Sequence, residues 1–129
     1  MIHALCRGTV GIITANSARL THCHFAARQI REDIPRVIYG MEGCGEFRTT
    51  ILEEKGALDS AAIEAEVLGV AARMQAETTD LCAILLECSD LPPYAAAIQD
   101  RTGLPVHDLN TLIRYLGDAV RQRSCSGCI

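Results

Sequence analysis

Cys88 has the sequence setting of a reactive thiol. It follows an apolar run over residues 81–86 that is too short to span a membrane and suits a strand buried on both faces. The run ends at Glu87, and Pro92 opens a predicted helix. The thiol would therefore lie at the carboxyl end of a strand, where the ligands of open α/β sheets bind. Because the amides and the dipole at a helix N-terminus favour a thiolate or a bound carboxylate, we predict that Cys88 is catalytic.

Polar residues are predicted at the same edge of the sheet, because right-handed crossovers bring the carboxyl ends of parallel strands together. Hydroxyls, amides and helix N-terminal N–H groups at such an edge can hold a small anion. The predicted substrate-binding residues are Thr14, Asn16, Ser17, Ser89 and Asp90. A simpler alternative for Ser89 and Asp90 is that they only cap the helix that follows.

His107 and Asp108 follow the fourth predicted strand and allow two interpretations. His107 is either a general base oriented by the neighbouring carboxylate or a surface histidine at a strand end, and we favour the second. His22 and His24 flank Cys23 on a predicted helix, so their side chains would point in different directions. The sequence therefore predicts no metal site.

Seven cysteines are many for a chain of 129 residues. Cys23 and Cys82 lie within apolar patterns and are expected to be buried as small hydrophobic residues. Cys125 and Cys128 have the spacing of a dithiol, but they lie in a polar tail without a flanking strand or helix. We expect an unstructured end there, with a metal or thiol-redox module as the alternative.

The elements that would position these residues alternate between strand and helix patterns. Strands are predicted at residues 8–15, 36–40, 81–87 and 104–106. Helical patterns lie between them, including residues 46–54 and the helix that opens at Pro92. This alternation predicts an α/β domain: a single three-layer sandwich in which a four-stranded, mainly parallel sheet is covered by helices on both sides.

Apolar residues spaced three and four apart indicate the buried faces of the predicted helices. A first helix ends before Pro35 and has the face Leu20, Cys23, Ala27, Ile30 and Ile34. The helix capped by Asp59 or Ser60 has the face Ile63, Val67, Val70 and Met74. The last helix begins at Asn110 and turns Leu112, Ile113, Leu116 and Val120 inward.

The composition describes one domain over residues 1–129, with a core at 8–122 and a tail at 123–129. A formal charge of −4 and an aromatic content of 4% argue against nucleic acid or an anionic membrane as the partner. No apolar run approaches the ~20 residues of a membrane-spanning helix, and the apolar part of the chain's start is too short for a signal peptide. We therefore expect a cytoplasmic protein.

The sequence around Cys88 is distinctive. Residues 84–99 read Ile-Leu-Leu-Glu-Cys-Ser-Asp-Leu-Pro-Pro-Tyr-Ala-Ala-Ala-Ile-Gln, and residues 102–108 read Thr-Gly-Leu-Pro-Val-His-Asp. Both segments resemble the aspartate/glutamate racemase family, and residues 10–15 resemble the strand that opens the second half of that family's fold. The resemblance covers residues 8–116. It implies a fold like one half of such a racemase, which uses two cysteine thiols as acid and base and needs no cofactor.

The resemblance implies a racemase-like isomerase that acts on a small amino acid or carboxylic acid by thiolate α-proton transfer at Cys88. Family members have two similar halves, each with one catalytic cysteine, whereas this chain resembles the second half and Cys6 does not match the cysteine of the first. Ser89 and Asp90 stand where the family often has Thr-Asn. His107 stands where the family has an apolar or aromatic residue.

A single matching thiol leaves several interpretations open. In order of preference, the chain is an incomplete and inactive half, a homodimer in which two copies share a cleft, or an enzyme with one-sided chemistry such as decarboxylation. The competing class is a non-catalytic domain that binds a small carboxylate or a partner and retains the racemase fold.

Overall fold

The sheet has four strands, and all of them are parallel. The computed structural model describes residues 1–122 and residue 127. The strands are β1 (Thr9–Thr14), β2 (Arg36–Gly40), β3 (Leu81–Leu86) and β4 (Val106–His107), arranged in the order β2-β1-β3-β4. The predicted α/β fold with a parallel four-stranded sheet is confirmed.

Helices connect the strands and cover the sheet. They are α1 (Ile2–Leu5), α2 (His22–Ala27), α3 (Gly45–Phe47), α4 (Ser60–Glu77), α5 (Ala95–Thr102) and α6 (Leu109–Val120). A wider π-helical turn (Arg48–Leu52) continues α3, so the predicted helix at residues 46–54 forms with a different end. A 3₁₀ turn (Pro92–Tyr94) precedes α5, as the two prolines lead us to expect.

The main core lies between the sheet and α4. The predicted face of α4 is confirmed, since Ile63, Val67, Val70 and Met74 are all buried. Asp59 caps this helix by accepting hydrogen bonds from the amides of Ala61 and Ala62, both at 3.0 Å. This packing holds the middle of the sheet in place.

The sheet contains a topological switch point between β1 and β3. From β1 the chain passes to β2 on one side and then returns to β3 on the other. The connections on either side of this boundary diverge, so a crevice opens at the carboxyl ends of the two strands. The amide of Glu87 donates to the carbonyl of Ile13 at 2.9 Å and continues the pairing of the two strands to the rim of the crevice.

The predicted apolar face of α2 is wrong. The helix ends at Ala27, and Phe25 is its one buried residue, while Cys23 is exposed. Gln29 has a φ of 54°, and this left-handed conformation ends the helical path well before Ile34. Cys82, in contrast, is half-buried at the start of β3, in keeping with its apolar surroundings.

The predicted burial of α6 is also wrong. Leu112, Leu116 and Val120 are 41%, 52% and 84% exposed, and no described residue of α6 is buried. The reason is that α6 contacts the sheet at β4, an edge strand of only two residues, which offers too little surface to cover a helix of 12. The helix also begins earlier than predicted, because Asp108 rather than Asn110 caps it.

No helix within residues 1–122 is long and apolar enough to cross a membrane. Cys125 and Cys128 lie outside the described residues.

Candidate functional site

A cavity of about 440 Å³ occupies the crevice at the carboxyl ends of β1 and β3. It is lined by Thr14, Ala15, Asn16, Arg19, Leu20, His24, Leu52 and Glu87. Two of the predicted substrate-binding residues, Thr14 and Asn16, are therefore in its wall. Arg19, His24 and Glu87 were not predicted, and they give the cavity side chains of both charge types.

Glu87 is exposed at the end of β3, but hydrogen bonds of its side chain and its backbone hold it in place. Its carboxylate Oε2 accepts a hydrogen bond of 2.8 Å from the hydroxyl of Thr14, which is only 4% exposed. Its backbone is paired with Ile13. The sequence carries one signal for this role, because an acidic residue ends an otherwise apolar strand beside the predicted catalytic thiol.

Another part of the cavity lining comes from the loop after β1 and from α2. The Asn16 side-chain oxygen accepts from the amide of Ala18 at 3.1 Å and stiffens the turn that carries Arg19. His24 Nδ1 accepts from the amide of Thr21 at 3.1 Å, so the neutral ring carries its proton on Nε2. This wall therefore offers donors that suit a carboxylate.

Ser17 lies in a different depression, on the β2 side of β1. This depression has a volume of about 420 Å³ and is also lined by Tyr39, Glu42 and Arg73. The hydroxyl and the amide of Ser17 both donate to the Glu42 carboxylate. Burial opposes ionisation of Glu42, but these hydrogen bonds and its own backbone amide outweigh it and hold the pKa of Glu42 below its usual value. The anion-binding donors predicted at Ser17 are thus occupied by the protein's own carboxylate.

Cys88 lies at the predicted strand end but does not line the cavity. The thiol is half-buried and packs against the main hydrophobic core. Its Sγ lies 3.5 Å from the Asp90 carboxylate. The thiol and the cavity are therefore neighbours at one rim rather than parts of one pocket.

The environment of Cys88 favours the neutral thiol. Burial raises the pKa of Cys88, and the carboxylates of Asp90 and Glu87 raise it further, while the Asp90 amide opposes them. The stabilisation of a thiolate that we expected from a helix N-terminus does not outweigh these effects. One reason is that the helical segment opens with Pro92 and Pro93, which have no N–H groups to offer.

Ser89 and Asp90 are exposed in the turn after β3. Neither caps the following 3₁₀ turn, whose first flanking residue is Leu91. The Asp90 carboxylate instead accepts from the Cys88 thiol, so it modulates the predicted catalytic group. Ser89 makes no side-chain hydrogen bond to a described residue, and its role in binding stays a prediction.

His107 at the end of β4 and Asp108 after it have structural roles. Asp108 is 8% exposed, and its Oδ1 accepts from the amide of Thr111 at 2.6 Å and from its hydroxyl at 2.7 Å. This carboxylate caps α6 and makes no hydrogen bond to His107, which pairs with Leu85 in the sheet. Within the described part of the chain, no three His, Cys, Asp or Glu side chains converge as they would around a metal ion.

Comparison with solved structures identifies the type of fold. The structure of unliganded arylmalonate decarboxylase superposes with a TM-score of 0.57 at 20% sequence identity, over 85% of this chain and 47% of that one. The chain thus has an α/β fold of the arylmalonate decarboxylase type, which supports the predicted racemase-like fold at the level of architecture. No protein-family model matches the sequence.

Sequence comparison finds relatives among lyases. A dimethylsulfoniopropionate lyase from Durusdinium sp. clade D is 32% identical over 103 residues, which is 78% of this chain and 34% of that protein. Dimethylsulfoniopropionate lyase 2 from Emiliania huxleyi is 30% identical over 79 residues, 61% of this chain and 22% of that protein. Dimethylsulfoniopropionate lyase 5 from Emiliania huxleyi strain CCMP1516 is 35% identical over 78 residues, 60% and 16% of the two chains. The chain spans about a third or less of the length of these relatives.

Proposed function

We propose that this chain is a proton-transfer module that acts at the α-carbon of a small carboxylate, with Cys88 as the group that carries the proton. The observation that supports this most strongly is the position of Cys88, a half-buried thiol at the carboxyl end of a central strand, one residue beyond the wall of the crevice. The resemblance in fold to a decarboxylase and in sequence to lyases supports chemistry of the same type.

The chemistry needs one base and a site that stabilises negative charge. As a thiolate, Cys88 removes the α-proton, and the charge left on carbon spreads into the carboxylate. Donors directed at that carboxylate lower the barrier, and the Arg19 guanidinium and the Nε2–H of His24 are the donors that the crevice offers. Because the pKa of Cys88 is raised, the reaction should quicken as the pH rises and the thiolate forms.

We favour β-elimination, a lyase reaction, over racemisation. Racemisation needs a second acid on the opposite face of the substrate, and among the described cysteines Cys88 is the one that lies at the carboxyl ends of β1 and β3. Elimination from a 3-sulfoniopropionate needs only one base. The thiolate takes the α-proton, a carbon–carbon double bond forms, the carbon–sulfur bond breaks with its electron pair, and the products are acrylate and a neutral sulfide.

The direct test is to incubate the purified chain with 3-(dimethylsulfonio)propionate and to follow the vinyl protons of acrylate by NMR. We expect product from the natural chain and a loss of about 100-fold or more in Cys88→Ser, the usual scale for removing a general base. Cys23→Ser is the matched control, because Cys23 is an exposed cysteine on α2. Product formed equally by Cys88→Ser would rule out the assigned role.

Racemisation of an amino acid is the second candidate, since the Glu-Cys-Ser-Asp motif and its flanks resemble the racemase family. The same samples incubated with each enantiomer of aspartate and glutamate, and analysed by chiral chromatography, distinguish the two reactions. Carboxylate binding that survives Cys88→Ser, without any reaction in the natural chain, would instead indicate a binding domain.

We also propose that two copies of the chain pair through α6. The apolar side of this helix consists of aliphatic residues at steps of one, three and four positions, all of them exposed: Leu109, Leu112, Ile113, Leu116 and Val120. A contiguous apolar surface of this kind marks an interaction site. A two-fold axis allows such a helix to pack against its own copy, because one surface then serves both partners.

A second copy is the occupant that this surface fits. The helix begins immediately after β4, at the same edge of the sheet as Cys88, so a partner on α6 would lie beside the crevice. This chain covers 47% of the arylmalonate decarboxylase chain, so a pair of copies supplies about as much structure as that single chain.

A further inference from the structure

The crevice combines opposite charges within a small volume. Glu87 contributes a carboxylate from the end of β3, while Arg19 and His24 contribute nitrogen donors from the loop after β1 and from α2. Apolar side chains, among them Leu20 and Leu52, complete the lining. A cavity of about 440 Å³ is within the usual range for small-molecule sites.

The Glu87 carboxylate is held in place but is not neutralised. Thr14 is buried and donates to Oε2 at 2.8 Å, and the backbone of Glu87 is tied to Ile13. The described salt bridges involve other carboxylates, those of Glu32, Asp33 and Glu53, and none of them reaches Glu87. An oriented carboxylate without a cationic partner among the described residues is suited to bind the cation of a ligand.

We propose that Glu87 is a specificity-determining residue that binds the cationic group of a zwitterionic ligand whose carboxylate faces Arg19 and His24. The carbons between the two charged ends would then lie at the rim of the crevice, next to Cys88. This inference rests on the proposed function for the location of the chemistry, but it concerns ligand binding. The ligand class is a short carboxylic acid with a sulfonium or quaternary ammonium group a few bonds from the carboxylate.

The experiment compares three carboxylates of nearly equal shape by NMR shift titration. These are 3-(dimethylsulfonio)propionate, 3-(trimethylammonio)propionate and the neutral-tailed 4,4-dimethylpentanoate. We expect the two cations to bind about tenfold more tightly than the neutral acid, as one nearby opposite charge predicts. The preference should shrink at high salt, because the crevice is open to solvent.

Glu87→Gln tests the assigned residue. The amide oxygen can still accept from Thr14, so the variant removes the charge and preserves the local packing. We expect its affinity for the cations to fall to that for the neutral acid, and its affinity for the neutral acid to stay unchanged. Glu64→Gln, an exposed change of the same kind on α4, should behave like the natural chain.

Three results would overturn the inference. They are equal binding of all three acids by the natural chain, no binding of any of them, and a Glu87→Gln variant that keeps its preference for cations. Binding by Cys88→Ser separates this question from catalysis, because that variant should keep the preference. A preference without product would refute the proposed reaction alone, whereas product without a preference would refute the role of Glu87 alone.

Discussion

Cys88 and Asp90 interact directly in the turn after β3. The Asp90 carboxylate lies 3.5 Å from the thiol and, together with burial, raises the pKa of Cys88. Deprotonation creates a negative sulfur beside a negative carboxylate, so the neutral thiol persists to higher pH than it would in a free cysteine. The thiolate that the proposed reaction needs should therefore form more readily as the pH rises.

Replacing Asp90 should shift this titration. In Asp90→Asn the repulsive charge is lost, so the pKa of Cys88 should fall and its alkylation by iodoacetamide should begin at lower pH. The measurement is the rate of Cys88 alkylation against pH, read by mass spectrometry on the peptide that contains it. Asp100→Asn, an exposed change on α5, serves as the control. An unchanged profile in Asp90→Asn would contradict the assigned coupling.

Thr14 should affect both stability and ligand preference, because its hydroxyl holds the Glu87 carboxylate in place. Thr14→Val keeps the shape of the buried side chain and removes the hydroxyl that holds the carboxylate. We expect a cost of about 1 kcal/mol in the free energy of unfolding, measured by urea denaturation, since one hydrogen bond is lost. The preference for cationic over neutral carboxylates should weaken as well. Thr14→Ser retains the hydroxyl and should keep that preference. A weakened preference in Thr14→Ser would show that the hydrogen bond is not what maintains it.

At the scale of elements, the contact between β1 and α4 depends on a glycine. Gly11 lies in β1 where the helix approaches closely, and a Cβ there would lie 2.1 Å from Met74 Sδ and 2.9 Å from Leu81 Cδ1. Met74 is fully buried, so its side chain has little room to move away. The absence of a side chain at Gly11 therefore allows α4 to lie against the sheet.

Gly11→Ala should destabilise the domain by about 1–3 kcal/mol, the usual cost of overpacking a core. The measurement is the free energy of unfolding by chemical denaturation. The double variant Gly11→Ala with Met74→Ala should cost less than the sum of the two single changes, because the second change opens space for the first. Simple additivity would mean that the two residues do not compete for this space.

At the scale of elements, burial was harder to predict than secondary structure. Residues 81–86 were predictable as a strand because a short apolar run between polar breaks has few other solutions. The buried face of α4 was also predictable, since this long helix leads directly into the central strand β3 and must cover the sheet. For α2 and α6 the same periodicity was misleading. An apolar pattern shows that a helix has an apolar side, but it does not show which surface of the molecule covers that side.

Some features of the candidate site could likewise be predicted from the sequence, and others could not. Cys88, Thr14 and Asn16 were predictable because residues at the carboxyl ends of parallel strands must share one edge. The presence of Arg19 and His24 in the cavity wall was not predictable, since it depends on how the loop after β1 and α2 fold beside the crevice. Ser17 donates its hydrogen bond to Glu42 instead of lining the cavity. These two residues are 25 positions apart in the sequence, so spacing alone cannot reveal the contact.

At the scale of the whole molecule, the apolar side of α6 should determine the oligomeric state. We expect the natural chain to run as a dimer in size-exclusion chromatography with light scattering, with a mass twice that of one chain. Leu112→Glu combined with Leu116→Glu should give monomers, because two charges would be buried in the interface. Arg114→Glu changes the net charge by the same amount on the opposite side of α6 and should leave the dimer intact. A natural chain that is monomeric at high concentration would refute the pairing.

The most direct test of the central claim is the exchange of α-protons with solvent. The chain would be incubated in deuterated water with 3-(dimethylsulfonio)propionate and with each enantiomer of aspartate and glutamate, and the α-proton signals and any vinyl product followed by NMR. We predict that at least one acid loses its α-proton by exchange or elimination, that the reaction quickens with rising pH, and that Cys88→Ser abolishes it while Cys23→Ser does not. Neither exchange nor product from any of these acids, or a reaction that continues in Cys88→Ser, would contradict proton transfer by Cys88.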